Sequence, residues 1–127
     1  MKKSIMIIDD NLVSQYATRY AIQQSQADSD IFVCDTANEA LDVLNNFYDI
    51  GQEFPDYIFI DLNKPGTNGW TFLDQFYSIS EKAKNTKIYF LSSFISTMER
   101  DKADHYSTVK GFCNTPLTKN TVNLIFD

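Results

Sequence analysis

Three carboxylates define the chemistry this sequence can do. Asp9 and Asp10 follow the apolar run Ile5-Met6-Ile7-Ile8, and Asp61 follows a second run, Tyr57-Ile58-Phe59-Ile60. Brought together, bare carboxylates repel and raise each other's pKa values. A hard divalent cation relieves the repulsion, and Mg²⁺ typically takes one or two carboxylates, a carbonyl and several waters. Such a site can receive a phosphoryl group and stabilise charge on its oxygens. A carboxylate can also be the nucleophile, forming an aspartyl-phosphate. Each residue alone has a plainer use. Asp9-Asp10-Asn11 can cap a helix, and Asp61 can serve the turn chemistry around Pro65 and Gly66. Capping does not account for carboxylates at the ends of both runs.

To meet, these residues need strands that end together. The chain alternates short apolar runs with longer amphipathic stretches, the pattern of a parallel sheet wrapped by helices. Strands are expected at residues 5–8, 31–34, 57–60, 87–91 and 109–113. Helices are expected at 11–24, 37–47, 70–79, 96–105 and 117–126, with a loop at 62–69 carrying Pro65, Gly66 and Gly69. The first helix has Leu12, Tyr16 and Tyr20 at helical spacing beside Val13 and Ala17. The second has an apolar stripe of Ala37, Ala40, Leu41 and Leu44, and the third has Phe72, Leu73 and Phe76. The helix at 96–105 is polar and weakly patterned. The last offers Leu117, Val122, Leu124, Ile125 and Phe126 as anchors. In doubly wound sheets of order 2-1-3-4-5, ligands bind where the order reverses, between strands one and three. That crevice collects Asp9, Asp10 and Asp61.

Composition narrows the classes. The chain has 127 residues, 43% hydrophobic and 14% aromatic, which is one domain's worth and too apolar for disorder. Seventeen acidic against eleven basic residues give a net charge of −6, without the cationic footprint that nucleic acid or an anionic membrane requires. A single histidine, His105, excludes His-rich metal sites. Cys34 and Cys113 are too few for a zinc cluster and fit reduced thiols in the core. The N-terminal apolar run lasts four residues, too short for a signal peptide, and nothing is long enough to span a bilayer. A cytoplasmic location is the expectation.

These residues carry a resemblance. Ile7-Ile8-Asp9-Asp10-Asn11, Pro55-Asp56-Tyr57-Ile58-Phe59-Ile60-Asp61-Leu62-Asn63-Lys64-Pro65-Gly66 with Gly69, Phe90-Leu91-Ser92-Ser93, and Lys110-Gly111-Phe112-Cys113-Asn114-Thr115-Pro116-Leu117 stand in the order and spacing of a receiver domain of two-component response regulators. The resemblance runs from Ile5 to about Ile125 and implies a flavodoxin-like (βα)5 fold. It implies that Asp61 accepts a phosphoryl group from a histidine kinase or phosphotransfer protein in a Mg²⁺-dependent reaction. Asp10 would bind the ion directly, Asp9 mainly through metal-bound water, and Asn63 through its backbone carbonyl. Ser92 would hydrogen-bond a phosphoryl oxygen, and Phe112 matches the family's switch aromatic. A downstream protein target would dock on the face of helix four, strand five and helix five. The domain would be no enzyme beyond its own phosphotransfer and autodephosphorylation. It would occupy residues 1–127, leaving no output domain in this chain.

The sequence departs from the pattern at Thr115, where the family carries a lysine before the proline. A threonine donates one hydrogen bond and brings no charge. Phosphorylation could persist with weak coupling, another cation such as Lys64 could substitute, or the chain could be a degenerate pseudo-receiver acting as a phosphorylation-independent interaction module. Two other classes fit less well. A flavodoxin-like cofactor binder needs a Ser/Thr/Gly-rich loop after strand one, where this chain has two aspartates, and Gly51, Gly66, Gly69 and Gly111 form no phosphate-binding motif. A hydrolase with an aspartate nucleophile needs a substrate cap for which 127 residues leave no room.

Overall fold

The computed structural model describes residues 2–61, 69–92 and 96–126. Five parallel strands form one sheet in the order β2-β1-β3-β4-β5: β1 (Lys3–Ile8), β2 (Ser29–Cys34), β3 (Tyr57–Asp61), β4 (Lys87–Ser92) and β5 (Val109–Asn114). The helices are α1 (Leu12–Gln24), α2 (Ala37–Asp49), α3 (Gly69–Ile79), α4 (Thr97–Ala103) and α5 (Lys119–Phe126). The expected fold class and strand order hold, with element ends moved by at most two residues. A 3-10 turn at Glu81–Asn85 was not expected, because its one apolar anchor, the buried Ala83, makes no periodic pattern.

Helices cover both faces of the sheet, so its central strands are apolar along their length. One layer packs Met6, Ile8, Ile58, Ile60, Ile88 and Phe90 against α2 and α3. The other packs Ile5, Ile7, Tyr57, Phe59 and Leu91 against α1 and α5. Local signals set the helix ends. Thr36 caps α2 by accepting from the Glu39 N–H at 3.1 Å. The same helix stops at Gly51, whose φ of +75° admits the left-handed turn, with the Gln52 N–H bonding the Phe47 carbonyl at 2.8 Å. A register shift between Ile88 and Tyr89 puts an extra residue into β5. It aligns Phe112 with Phe90 and turns Cys113 toward the α1–α5 layer.

Helical periodicity located α1 but not its buried side. The helix buries Gln15, Thr18, Ala21 and Ile22, while Leu12, Val13 and Tyr16 are 77%, 79% and 72% exposed. Tyr16 and Tyr20 stack outside it with ring centroids 6.4 Å apart. In α5, Val122 is buried and Leu124 is exposed; Leu117, just before that helix, is buried too. Both cysteines are free and buried, as expected.

Two measurements check this packing. Tyr16→Ser should change stability by less than about 0.5 kcal/mol. Ile22→Ala, in the sealed α1–α5 layer, should cost about 2–5 kcal/mol in urea unfolding. Burial pushes the Cys34 and Cys113 thiols up to about 11, with Glu39 and Asp35 adding to the shift at Cys34. The folded chain therefore holds these protons longer than the unfolded one, so this contribution is intact below pH 9.0 and is lost as pH rises toward about 11. The urea midpoint should fall more steeply over that window in the wild type than in the Cys34→Ala/Cys113→Ala double variant. Equal slopes would contradict it.

Candidate functional site

Parallel register builds the site. Ile8 pairs with Ile60, so Asp9 and Asp61 come next at the carboxyl ends of adjacent strands. Asp61 in turn pairs with Leu91, and the following residue of β4, Ser92, pairs with Asn114 of β5. Asp9, Asp61 and Ser92 are 0%, 3% and 0% exposed, whereas Asp10, next along the chain from Asp9, is exposed. Two carboxylates are thus buried side by side with a buried hydroxyl on the neighbouring strand.

A buried carboxylate must be hydrogen-bonded. For Asp9, Oδ1 accepts from the Asn11 N–H at 3.0 Å and Oδ2 accepts from the Ser14 hydroxyl. Its own N–H donates to the Cys34 carbonyl at 3.1 Å, prolonging the β1–β2 ladder. The same turn also caps the helix: Asn11 is the N-cap of α1 and accepts from the Ser14 N–H at 2.9 Å. Capping and site-building therefore coexist in one turn.

The donor set suits a hard cation. A carboxylate has about four lone-pair positions, and Asp9 uses two of them, leaving acceptor capacity on each oxygen. Among the described residues no three carboxylate, thiol or imidazole groups close into a ligand cluster. That is compatible with Mg²⁺, which is usually held by one or two carboxylates with waters completing the shell. Asn63 and Lys64 lie outside the described residues.

Thr115 is half-buried and joined to Pro116 by a cis peptide bond. It lines a groove with Val13, Ser14 and Ala17 of α1, beside the acidic crevice. Phe112 is partly buried, stacked on Phe90 with centroids 5.6 Å apart, and the Arg100 guanidinium lies 5.7 Å from its ring. Trp70 packs on Phe90 at 4.7 Å and Tyr106 at 5.3 Å. The sequence reading missed Asp35, which follows β2 as Asp9 follows β1. It also missed Gln15, a buried amide of α1 that reaches Asp35. The strand-end logic that singled out Asp9 and Asp61 would have found the first; nothing in the local sequence marks the second.

The fold has close counterparts. A two-component response regulator from Cytophaga hutchinsonii superposes with a TM-score of 0.88 at 30% identity, covering 99% of this chain and 96% of that one. One from Legionella pneumophila gives 0.82 at 20% identity over 98% and 95% of the two chains, which is a likeness of fold. A receiver domain protein from Methanospirillum hungatei shares the fold at 0.73 and 17% identity, over 99% and 91%. Comparison with curated proteins gave no match. The model of the response regulator receiver domain matches residues 5–112. By that match and the Cytophaga likeness, this chain belongs to the receiver domain family of two-component response regulators.

Proposed function

We propose that this receiver domain accepts a phosphoryl group on Asp61 from a phosphorylated histidine of a kinase or phosphotransfer protein. The observation that carries the reading is the burial of the Asp9 and Asp61 carboxylates at adjacent strand ends, with Ser92 buried at the end of the next strand. An Asp61 carboxylate oxygen attacks phosphorus as the phosphorus–nitrogen bond to the donor imidazole breaks. Burial holds the nucleophile in one orientation and keeps bulk water from the acyl phosphate. The Ser92 hydroxyl donates to a phosphoryl oxygen. Asp10 and Asp61 would hold Mg²⁺ directly, with Asp9 acting through its water. When bound, the ion offsets charge on the phosphoryl oxygens.

The exposed face of α1 supports docking of the donor. Leu12, Val13 and Tyr16 are exposed in the first turns of α1, which starts just after Asp9 and Asp10, and Val13 lines the groove with Thr115; exposed apolar surface of this kind marks an interaction site. The target face is α4, β5 and α5, where Met98 and Leu124 are exposed and Arg100 covers Phe112. The domain turns over no substrate other than its own phosphoryl group. No described helix is long and apolar enough to cross a membrane.

A second reading rests on Thr115. Without a charged group at that position, the chain would signal by binding alone. Two experiments separate the readings. Incubated with Mg²⁺ and a small acyl-phosphate donor, the wild type should gain one phosphoryl mass and Asp61→Asn none. An adduct independent of Asp61, or none at all with small donors and kinases alike, would favour the binding module. Thr115→Lys should enlarge the change in Trp70 emission on adding beryllofluoride, because Trp70 touches Phe90, which stacks on Phe112. An unchanged response would mean that the missing lysine does not limit coupling.

A further inference from the structure

Gln15 is a polar residue in the buried face of α1, 8% exposed. Its side-chain nitrogen donates to the backbone carbonyl of Asp9 and, at 2.7 Å, to Oδ1 of Asp35. Both partners are acceptors, so the amide nitrogen must face them, and both of its hydrogens are used. Burying an amide is unfavourable unless its donors are satisfied, and here each is met by a group beside the acidic crevice. Together with the three bonds already described, every polar atom of Asp9 is engaged: N–H, carbonyl and both carboxylate oxygens. Beyond the Asp9 N–H the β1–β2 ladder ends, and the Gln15 amide spans the gap where the two chains diverge.

We infer that Gln15 is a positioning residue for the acidic site: by tying the Asp9 carbonyl to the Asp35 carboxylate, it fixes the turn that presents Asp9 and Asp10 to a divalent cation. The inference rests on the proposed function in supposing that a cation is bound there. Mg²⁺ demands near-ideal octahedral geometry, so a turn held rigid before binding costs less to order. Groups that orient metal ligands typically contribute about 10–100-fold in affinity. Asp35 acts through this bond as well as through its charge, and the two effects are separable. Asp35→Asn keeps an acceptor oxygen but removes the charge, whereas Asp35→Ala removes both.

The test is a calorimetric Mg²⁺ titration of the full chain, paired with amide hydrogen exchange in the absence of metal. Gln15→Leu and Asp35→Ala should each weaken Mg²⁺ affinity by about tenfold, and Asp35→Asn by clearly less. The double variant Gln15→Leu/Asp35→Ala should be weaker than Gln15→Leu alone by no more than the factor that Asp35→Asn costs, as expected for one shared connection plus a separate charge. Exchange at the Asn11 and Ser14 amides should accelerate in Gln15→Leu relative to Ile58 and Phe59 of β3, which report global opening. Should Gln15→Leu fail to fold, the Asp35→Ala and Asp35→Asn pair carries the test. A wild type that binds Mg²⁺, with variants within twofold of it or exchange accelerated equally everywhere, overturns the role of Gln15. A wild type that takes up no Mg²⁺ overturns this inference together with the functional reading beneath it.

Discussion

Asp9 is fully buried at the carboxyl end of β1, and satisfying its carboxylate dictates how the neighbouring chain is built. Water cannot solvate the charge, so donors must come from the turn that follows: the Asn11 amide and the Ser14 hydroxyl. Those two bonds place the first turn of α1 over the strand end. They also set the rotation of the helix, because Gln15, next after Ser14, then points inward beside Thr18 and Ile22. Tyr16 is left outside. The exposed apolar face of α1 is thus partly a consequence of the buried carboxylate.

The second half of the site depends on the sheet. Phe90 of β4 is held between Trp70 of α3 and Phe112 of β5. A displacement of the β4 end that carries Ser92 must therefore be accommodated by both neighbours, since close-packed aromatic rings do not absorb it locally. Trp70 also contacts Tyr106 after α4, and Tyr106 donates to Asp74 of α3 at 3.0 Å. Arg100 and Lys102 of α4 lie over the rings of Phe112 and Trp70, respectively. This short helix is tied to the aromatic set by cation–π contacts. The set gives the strand ends a packed route to the α4–β5 face that does not pass through Thr115.

The strands and their acidic ends were legible because burial on both faces forces continuous apolar runs, and each run stops where the crevice begins. Ile5-Met6-Ile7-Ile8 before Asp9 and Tyr57-Ile58-Phe59-Ile60 before Asp61 carry that signal without any tertiary information. The inward face of α1 was not legible. Leu12, Tyr16 and Tyr20 repeat at helical spacing, but periodicity does not say whether a stripe meets the sheet or a partner. Gln15 escaped for a related reason: a mid-helix glutamine looks solvated until its two acceptors are placed in space. The β5 register shift, which aligns Phe112 with Phe90, left no mark that sequence periodicity could report.

The central claim is that the buried Asp61 carboxylate forms an acyl phosphate. Borohydride reduces an acyl phosphate of aspartate to homoserine, so chemical trapping followed by peptide mass mapping reads the acceptor directly. After incubation with Mg²⁺ and an acyl-phosphate donor, homoserine should appear at position 61 and at none of the other aspartates. Homoserine at Asp9 or Asp10, or a chain with no trapped residue under any donor, would contradict it.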